Sequence, residues 1–452
     1  MLSNVFLLSL SIFGVIIGLV VFLLIWNKPV LVIYIQLIYC CFVRFLIYQL
    51  HFTKMVQFAS DFFTIILLIQ IILQFNKAKT INIRKPLFFI VLFLLSAILS
   101  SILNSSSILF FIIGLRVYIK LLIFFIACVI FLKHEDIDKL AKFLLAILPI
   151  NTVVAFYQYL IMGLGDDYIG GIFGNTQGCN GESNIYLTVV SVIAIVFYVG
   201  NKIKLWHSVI SILQACMIAA ISELKIIYFT LIIILLIVLV YTFPNKRAIM
   251  VTLLCGVALV LGLVVFLMIY PGWIDMITDF GTFMKDTAAG TYGTSTTLGR
   301  TVAGPYVFQN ILIEPRQRIF GIGLGYGDRY LSMESSFFAR YESLSFYLFA
   351  YMIVIIEVGL TGFIIYCLIF VSIIYESFRI KKKIKTDNAI YCCISFIASI
   401  FTFQQFMYDQ SIFWDAAFII YFCLSLPFIM EKEENETSAN KTGLLKKAGN
   451  ME

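Results

Sequence analysis

The sequence predicts an all-α polytopic membrane protein with about 12–14 transmembrane helices and one large extracytoplasmic loop. Three observations carry this expectation. Hydrophobic residues make up 62% of the 452-residue chain and charged residues only 13%, whereas a soluble domain carries roughly 45–50% and about 25%. The apolar residues fall into runs long enough to span a bilayer. The basic residues sit between those runs with one consistent alternation.

A spanning helix needs about 20 mostly apolar residues. Thirteen runs approach that length, at 4–26, 29–50, 56–75, 86–103, 107–132, 138–163, 184–200, 203–221, 224–243, 247–270, 344–377, 388–407 and 411–430. Backbone polar groups must be satisfied inside lipid, so the runs are expected to be helices. The first has no basic n-region and no small-residue cleavage signal, and reads as a retained helix. The run at 344–377 exceeds one span and is expected to tilt or to begin above the membrane.

Cytoplasmic loops are enriched in Lys and Arg, and every odd-numbered run ends on a basic segment. Lys28 follows the first run, and Lys77, Lys79, Arg84 and Lys85 the third. Lys133, Lys139 and Lys142 follow the fifth, Lys202 and Lys204 the seventh, and Lys246 and Arg247 the ninth. Arg379, Lys381, Lys382, Lys383 and Lys385 follow the eleventh, and Lys432, Lys441, Lys446 and Lys447 lie in the tail. The chain therefore divides into N-terminal helices over 1–106 and core helices over 107–270 with an outer-face cavity. The loop at 271–343 follows, then C-terminal helices over 344–430 and a cytoplasmic tail, 431–452, whose polarity predicts disorder.

The net charge of +7 does not point to nucleic acid, because the basic residues punctuate apolar runs and form no patch. Nine of the ten cysteines lie in apolar runs, where they act as small hydrophobes. Only Cys179 falls in a polar segment. His51, His134 and His207 are scattered, so no metal site is expected.

Within the loop, 280–299 is rich in Gly, Thr and Ser and is expected to be mobile. Residues 301–313 are expected to form a short helix that Pro315 ends. The Gly-x-Gly-x-Gly-x-Gly run at 321–327 reads as a flexible turn. It has no strand-turn-helix context for a nucleotide. A second external segment, 164–183, is rich in Gly and Asn.

Several polar residues stand out against this apolar background. Arg116 and Lys120 are four apart in one helix and share a face. Ionisable groups inside a span usually face a cavity or a partner. Arg44 is also intramembrane. Lys225 in Ser222-Glu223-Leu224-Lys225 is expected either to face the same cavity or to be an ordinary solvated turn. Arg300, Arg316, Arg318 and Arg340 mark the loop, and guanidinium forks suit phosphate oxygens. Glu334, Glu342 and Glu357 are acid candidates. Glu342, beside Arg340, would be kept ionised as a general base.

Taken in order, these residues resemble the O-antigen polymerase and ligase superfamily, the Wzy-type polysaccharide repeat-unit polymerases and their ligase relatives. The helix Gly114-Leu115-Arg116 with Lys120 is similar to the family's Arg-bearing mid-chain helix. Tyr157-Gln158-Tyr159, then Gly171-Ile172-Phe173-Gly174-Asn175 and Asn180, resembles its Gly-x-Phe-x-Asn…Asn segment. Ser222-Glu223-Leu224-Lys225 resembles the Ser-Glu-x-Lys motif of capsule polymerases. Gly299-Arg300 with Phe320-Gly321-Ile322-Gly323-Leu324-Gly325 resembles the large loop. Glu342-Ser343 with Glu357-Val358-Gly359-Leu360-Thr361-Gly362 resembles the helix that closes it. The resemblance covers roughly residues 107–370.

The resemblance implies a GT-C-like membrane glycosyltransferase of the bacterial cytoplasmic (inner) membrane, with no metal and no cofactor. Its substrate would be an undecaprenyl-diphosphate-linked oligosaccharide on the outer face, and a flippase and a chain-length regulator would be partners. A polymerase moves a growing chain onto a new lipid-linked repeat unit. The ligase relatives carry a His after the loop, and this chain has none beyond His207. Arg116, Lys120, Lys225, Arg300 and Arg340 are then expected on the diphosphate, and Glu342 as base with Arg300 in the catalytic set. Gln158, Asn175, Asn180, Glu223 and Tyr341 are expected on the glycan. The alternatives are a ligase or protein oligosaccharyltransferase, and, of another class, a transporter or flippase, for which inverted repeats would be expected.

Overall fold

The computed structural model describes residues 25–449 except 75–81, 243, 280, 283–284, 286–287, 289–296, 331–332 and 385–387. The long helices are α1 (Pro29–Tyr48), α2 (Ala59–Leu73), α3 (Arg84–Leu103), α4 (Ile108–Phe131), α5 (His134–Leu160), α6 (Asn180–Val199), α7 (Leu205–Ile221), α8 (Lys225–Thr242) and α9 (Lys246–Ile269). The loop carries α10 (Trp273–Thr278), α11 (Arg300–Tyr306), α12 (Pro315–Phe320) and α13 (Ser336–Tyr341). The chain closes with α14 (Ala350–Lys381), α15 (Ala389–Tyr408) and α16 (Ala417–Gly449). No strand occurs among the described residues, where a single isolated bridge joins Tyr330 and Met333.

Ten of the described helices are long and apolar enough to cross a membrane, counting α2 with the 3-10 turn before it. α7 is apolar but has 17 residues. The protein is thus an all-helical, polytopic membrane protein. The expected run at 4–26 lies outside the described residues except at its end, as does most of 280–299. The bundle is centred on α6, buried along almost its whole length, and on the apolar half of α16. Small residues permit close contact where helices cross: Gly262 of α9 lies against Cys216 of α7, and Gly200 against Ile390. Such residues take over where lipid leaves no hydrophobic drive for association.

One end of the bundle gathers the basic segments. Lys202 pairs with Asp138 at 2.7 Å, and its ammonium also reaches the Tyr391 hydroxyl. Glu431 accepts Arg379 at 2.9 Å and Lys383 at 3.4 Å. Lys432 donates to the carbonyls of Val129, Ile130 and Leu132, which close α4. These bonds correct the expectation of disorder from residue 431. Glu433 also accepts from the His134 amide at 2.8 Å, so the turn after the last run is tied to α4, α5 and α14 and continues α16.

The opposite end carries the loop, and here the structure overturns two expectations. Pro315 does not end a helix. It opens α12 at the first helical position, where its missing N–H costs nothing. The helix from Arg300 ends instead in a π-turn at Val307–Ile311. The glycine run is no flexible turn either. Residues 321–325 are buried as a strap threaded between α3, α4 and α14. α14 breaks at Gly359, whose φ of +69° frees carbonyls that a continuous helix would use. Ile322 and Gly323 donate to the carbonyls of Ile356 and Glu357, at 2.8 and 3.0 Å. A Cβ on Gly321 would lie 2.5 Å from the Glu357 backbone, so only glycine fits. The Glu357 carboxylate then accepts from the amides of Gly325 and Gly327 and the hydroxyls of Tyr118 and Tyr330.

Candidate functional site

The strap delivers Asp328, Arg329 and Tyr330 to the mouth of a cavity of about 170 Å³ at the loop end. Its walls come from α1 (Arg44), α4 (Arg116, Lys120) and the α15–α16 turn (Phe413, Trp414, Asp415). Arg116 is the ninth residue of α4, so it sits about 12 Å below the loop end at 1.5 Å per residue. The shared face of Arg116 and Lys120 predicted from their spacing is therefore the cavity wall. Four cations converge: Arg44, Arg116, Lys120 and Arg329.

Each cation is matched by a carboxylate, as a low-dielectric surrounding requires. Arg116 donates through Nε and Nη2 to Asp61, at 2.7 and 2.5 Å. Arg44 lies 2.8 Å from Glu182, which is 1% exposed, and its guanidinium stacks on Trp414 at 4.9 Å. Glu182 also accepts from the Ala416 amide. Arg329 pairs with Glu334 at 2.7 Å and with Glu342 at 3.0 Å. Lys120 differs. Among the described residues its one carboxylate within ion-pair distance is Asp415, whose Oδ1 lies at 3.6 Å, too far for a hydrogen bond. Among the described residues that oxygen has no hydrogen-bond partner, although both side chains are about nine-tenths buried.

Asp328 stands at the cavity mouth. Its burial pushes the carboxyl up to about 7, with the Glu357 charge adding and its own bond from the Arg329 amide opposing. The Gln410 side chain, in the orientation that satisfies its amide, donates to Asp328 at 3.0 Å.

A second polar group lies beside the cavity, around the first turn of α6. Asn180 donates to Asp167 at 2.8 Å and to the Ser222 carbonyl at 3.2 Å. Gly181 abuts Asp409 and Ser411. Burial pushes the Asp409 carboxyl up to about 6, against bonds from Ser411 and Gln405. Lys225 pairs with Glu223 at 2.9 Å and rests on the Trp273 ring. Arg300 opens α11, where it lies over Tyr408 and donates to its carbonyl at 3.4 Å.

Several expected site residues are corrected by this geometry. Lys225 is not among the residues that line the Arg116 cavity, and its ammonium is taken by Glu223 and the Trp273 ring. Gln158 is fully buried and spends its amide on the backbone of Gly171 and Gly174. It builds the 170–174 turn and is not placed to meet a sugar. Asn180 is likewise occupied. Asn175 lies in an apolar groove of about 480 Å³ with Tyr48, Val153 and Tyr157. Arg340 covers the Tyr341 ring, and the partner of Glu342 is Arg329. Arg316 and Arg318 bond to the carbonyls of Leu103 and Leu312.

Sequence reasoning missed Asp61, Glu182, Asp328, Asp409 and Asp415, and it had no partner for Arg44. The signal was available in one form. A cation inside a span needs a counter-charge, and Asp61 and Glu182 are acids at the edges of apolar runs. No family model matches the chain, and no curated protein matches it.

Proposed function

We propose that the protein is a membrane glycosyltransferase that polymerises glycan repeat units carried on polyprenyl diphosphate, at the outer face of the bacterial cytoplasmic membrane. The observation that carries this reading is the cavity of Arg44, Arg116, Lys120 and Arg329, with the loose Lys120–Asp415 pair in its wall. Glycosyl transfer from a diphosphate carrier places negative charge on the leaving diphosphate. Preorganised cations in a water-poor site stabilise that charge more in the transition state than in the ground state. Lys120 and Arg116 would hold the diphosphate, with Arg329 closing over it from the strap. Arg116 Nη1 carries no hydrogen bond among the described residues, so it has a donor to offer.

Glu342 is the base in this reading. It pairs with Arg329 of the cavity wall at 3.0 Å, where the acceptor hydroxyl would arrive. Arg300, Lys225 and Glu223 form the rim on the side of α6 and would contact the glycan. The apolar groove holding Asn175 shares the Arg44–Tyr48 contact with the cavity, 3.3 Å long, and would take the first isoprene units.

The test is reconstitution of the full chain with a lipid-linked oligosaccharide. A ladder of products on the lipid supports a polymerase, and a single transfer to another acceptor would make it a ligase. Lys120→Met should lower turnover about 100-fold or more, the usual loss for a preorganised charge contact. Unchanged ladders from both Lys120→Met and Arg116→Gln would sink the assignment.

A further inference from the structure

We infer that the basic end of the bundle carries a second site, a groove that binds the phosphate head of an anionic phospholipid. Two cavities there, of about 330 and 440 Å³, meet at Asn201 and Arg247. The first is walled by Val199, Tyr241, Ile390 and Lys381, the second by Tyr198, Lys202 and Lys204. The groove thus lies between the ends of α6, α8 and α14 and the starts of α7, α9 and α15.

Its charge is unlike that of the rest of this end. Arg379, Lys383 and Lys85 are matched by Glu376 and Glu431, and Lys202 by Asp138. Of the four cations that line the groove, Lys202 is held by Asp138, whereas Lys204, Arg247 and Lys381 have no carboxylate among the described lining residues. Lys381 is held in place by the Tyr241 carbonyl at 2.6 Å and by the Tyr241 ring. The remaining walls combine Asn201, Thr242 and Asn245 with apolar side chains, Val199, Leu205 and Ile390 among them. They continue into the exposed faces of α8 and α9, where Val240 and Leu253 are 78% and 66% exposed. Uncompensated cations at the mouth with an apolar wall beneath match a phosphate head with an acyl chain below it. Basic pockets between spanning helices on the cytoplasmic side bind such heads, and this is the end that the positive-inside pattern assigns to the cytoplasm. Inorganic or soluble phosphate shares the head-group chemistry but would not use the apolar wall.

The experiment is native mass spectrometry of the full-length protein titrated with phosphatidylglycerol, with phosphatidylcholine, and with soluble glycerol phosphate as competitor. Lys204→Gln/Arg247→Gln is the test variant, since both side chains are exposed and make no bond among the described residues. Lys139→Gln/Lys142→Gln removes the same two charges elsewhere at this end and is the control. Each basic group near such a surface is worth roughly fivefold in binding. The test variant should therefore weaken phosphatidylglycerol at least about tenfold, and the control less than about twofold. Equal binding by the test variant and the parent would overturn the site. Phosphatidylcholine held as tightly as phosphatidylglycerol would overturn it as an anionic-lipid site. Displacement by millimolar glycerol phosphate would reassign the groove to soluble phosphate.

Discussion

The two ends of this bundle handle positive charge in opposite ways. At the loop end Arg44 and Arg116 are each held by a carboxylate from a distant part of the chain, Arg329 is held by Glu334 and Glu342 of its own loop, and Lys120 is the loosely held exception. In the basic-end groove Lys204 and Arg247 stand without a carboxylate among the described residues. The difference follows from depth. A cation about 12 Å inside the apolar zone must be compensated within the protein, because desolvating it alone costs several kcal/mol. A cation at the membrane edge keeps its water and waits for a partner from solvent or lipid. Depth and pairing together therefore separate a built site from a topology signal.

The sharpest break of this comparison is Arg44→Ala. It strands Glu182 in the core, and removing one member of a buried pair costs about 3–5 kcal/mol. Thermal unfolding in detergent should show a large drop, whereas Arg247→Ala should stay within about 0.5 kcal/mol. Similar losses in the two variants would erase the distinction. Lys120→Met comes next. Its partner Asp415 lies 3.6 Å away, beyond a hydrogen bond, so the loss of stability should be smaller than that of Arg44→Ala, while turnover falls as described above. A large loss of stability would make Lys120 a structural group.

A smaller effect concerns pH. The Asp328 carboxyl, raised to about 7 by burial, is protonated in the folded state over a range where the unfolded chain has lost the proton, from near pH 4 upward. The native state binds more protons there, so this group's contribution to stability falls as pH rises through that window. The same protonation removes a negative charge from the cavity mouth beside Arg329, Glu342 and Glu357. Binding of a diphosphate analogue should therefore tighten about threefold from pH 8 to pH 6, and Asp328→Asn should flatten the profile. A profile unchanged in the variant would assign the titration elsewhere. The smallest contrast is in salt. Screening at about 10 Å in 0.1 M salt weakens exposed charges more than buried ones. Lipid binding at the groove should fade with added salt while the melting temperature set by the Arg44 and Arg116 pairs hardly moves.

Much of the fold was legible in the sequence, because a bilayer demands long apolar runs and the basic residues keep one register along them. Arg116 and Lys120 were legible as cavity residues for the same reason, a polar pair at helical spacing in an apolar helix. Their partners were not. Asp61 and Glu182 lie 55 residues from Arg116 and 138 from Arg44, and nothing local couples those positions. Gln158, Asn175 and Asn180 looked like ligand groups because an amide in an apolar run suggests one. Gln158 and Asn180 are instead consumed by the backbone of 170–174 and of Ser222. The glycine run misled in a related way. Glycine is selected both for mobility and for lack of bulk, and the letters do not say which. The break at Gly359 tells them apart only once the chain is folded.

The glycine strap also makes the loop inseparable from the bundle. The Glu357 carboxylate and the carbonyls of Ile356 and Glu357 take five of their hydrogen bonds from residues 322–330, and Ser100 and Asn104 of α3 reach the same stretch. Cut between α9 and α11, the protein should therefore behave as two interlocked halves that co-purify and unfold together. The loop expressed by itself should have no fold to find.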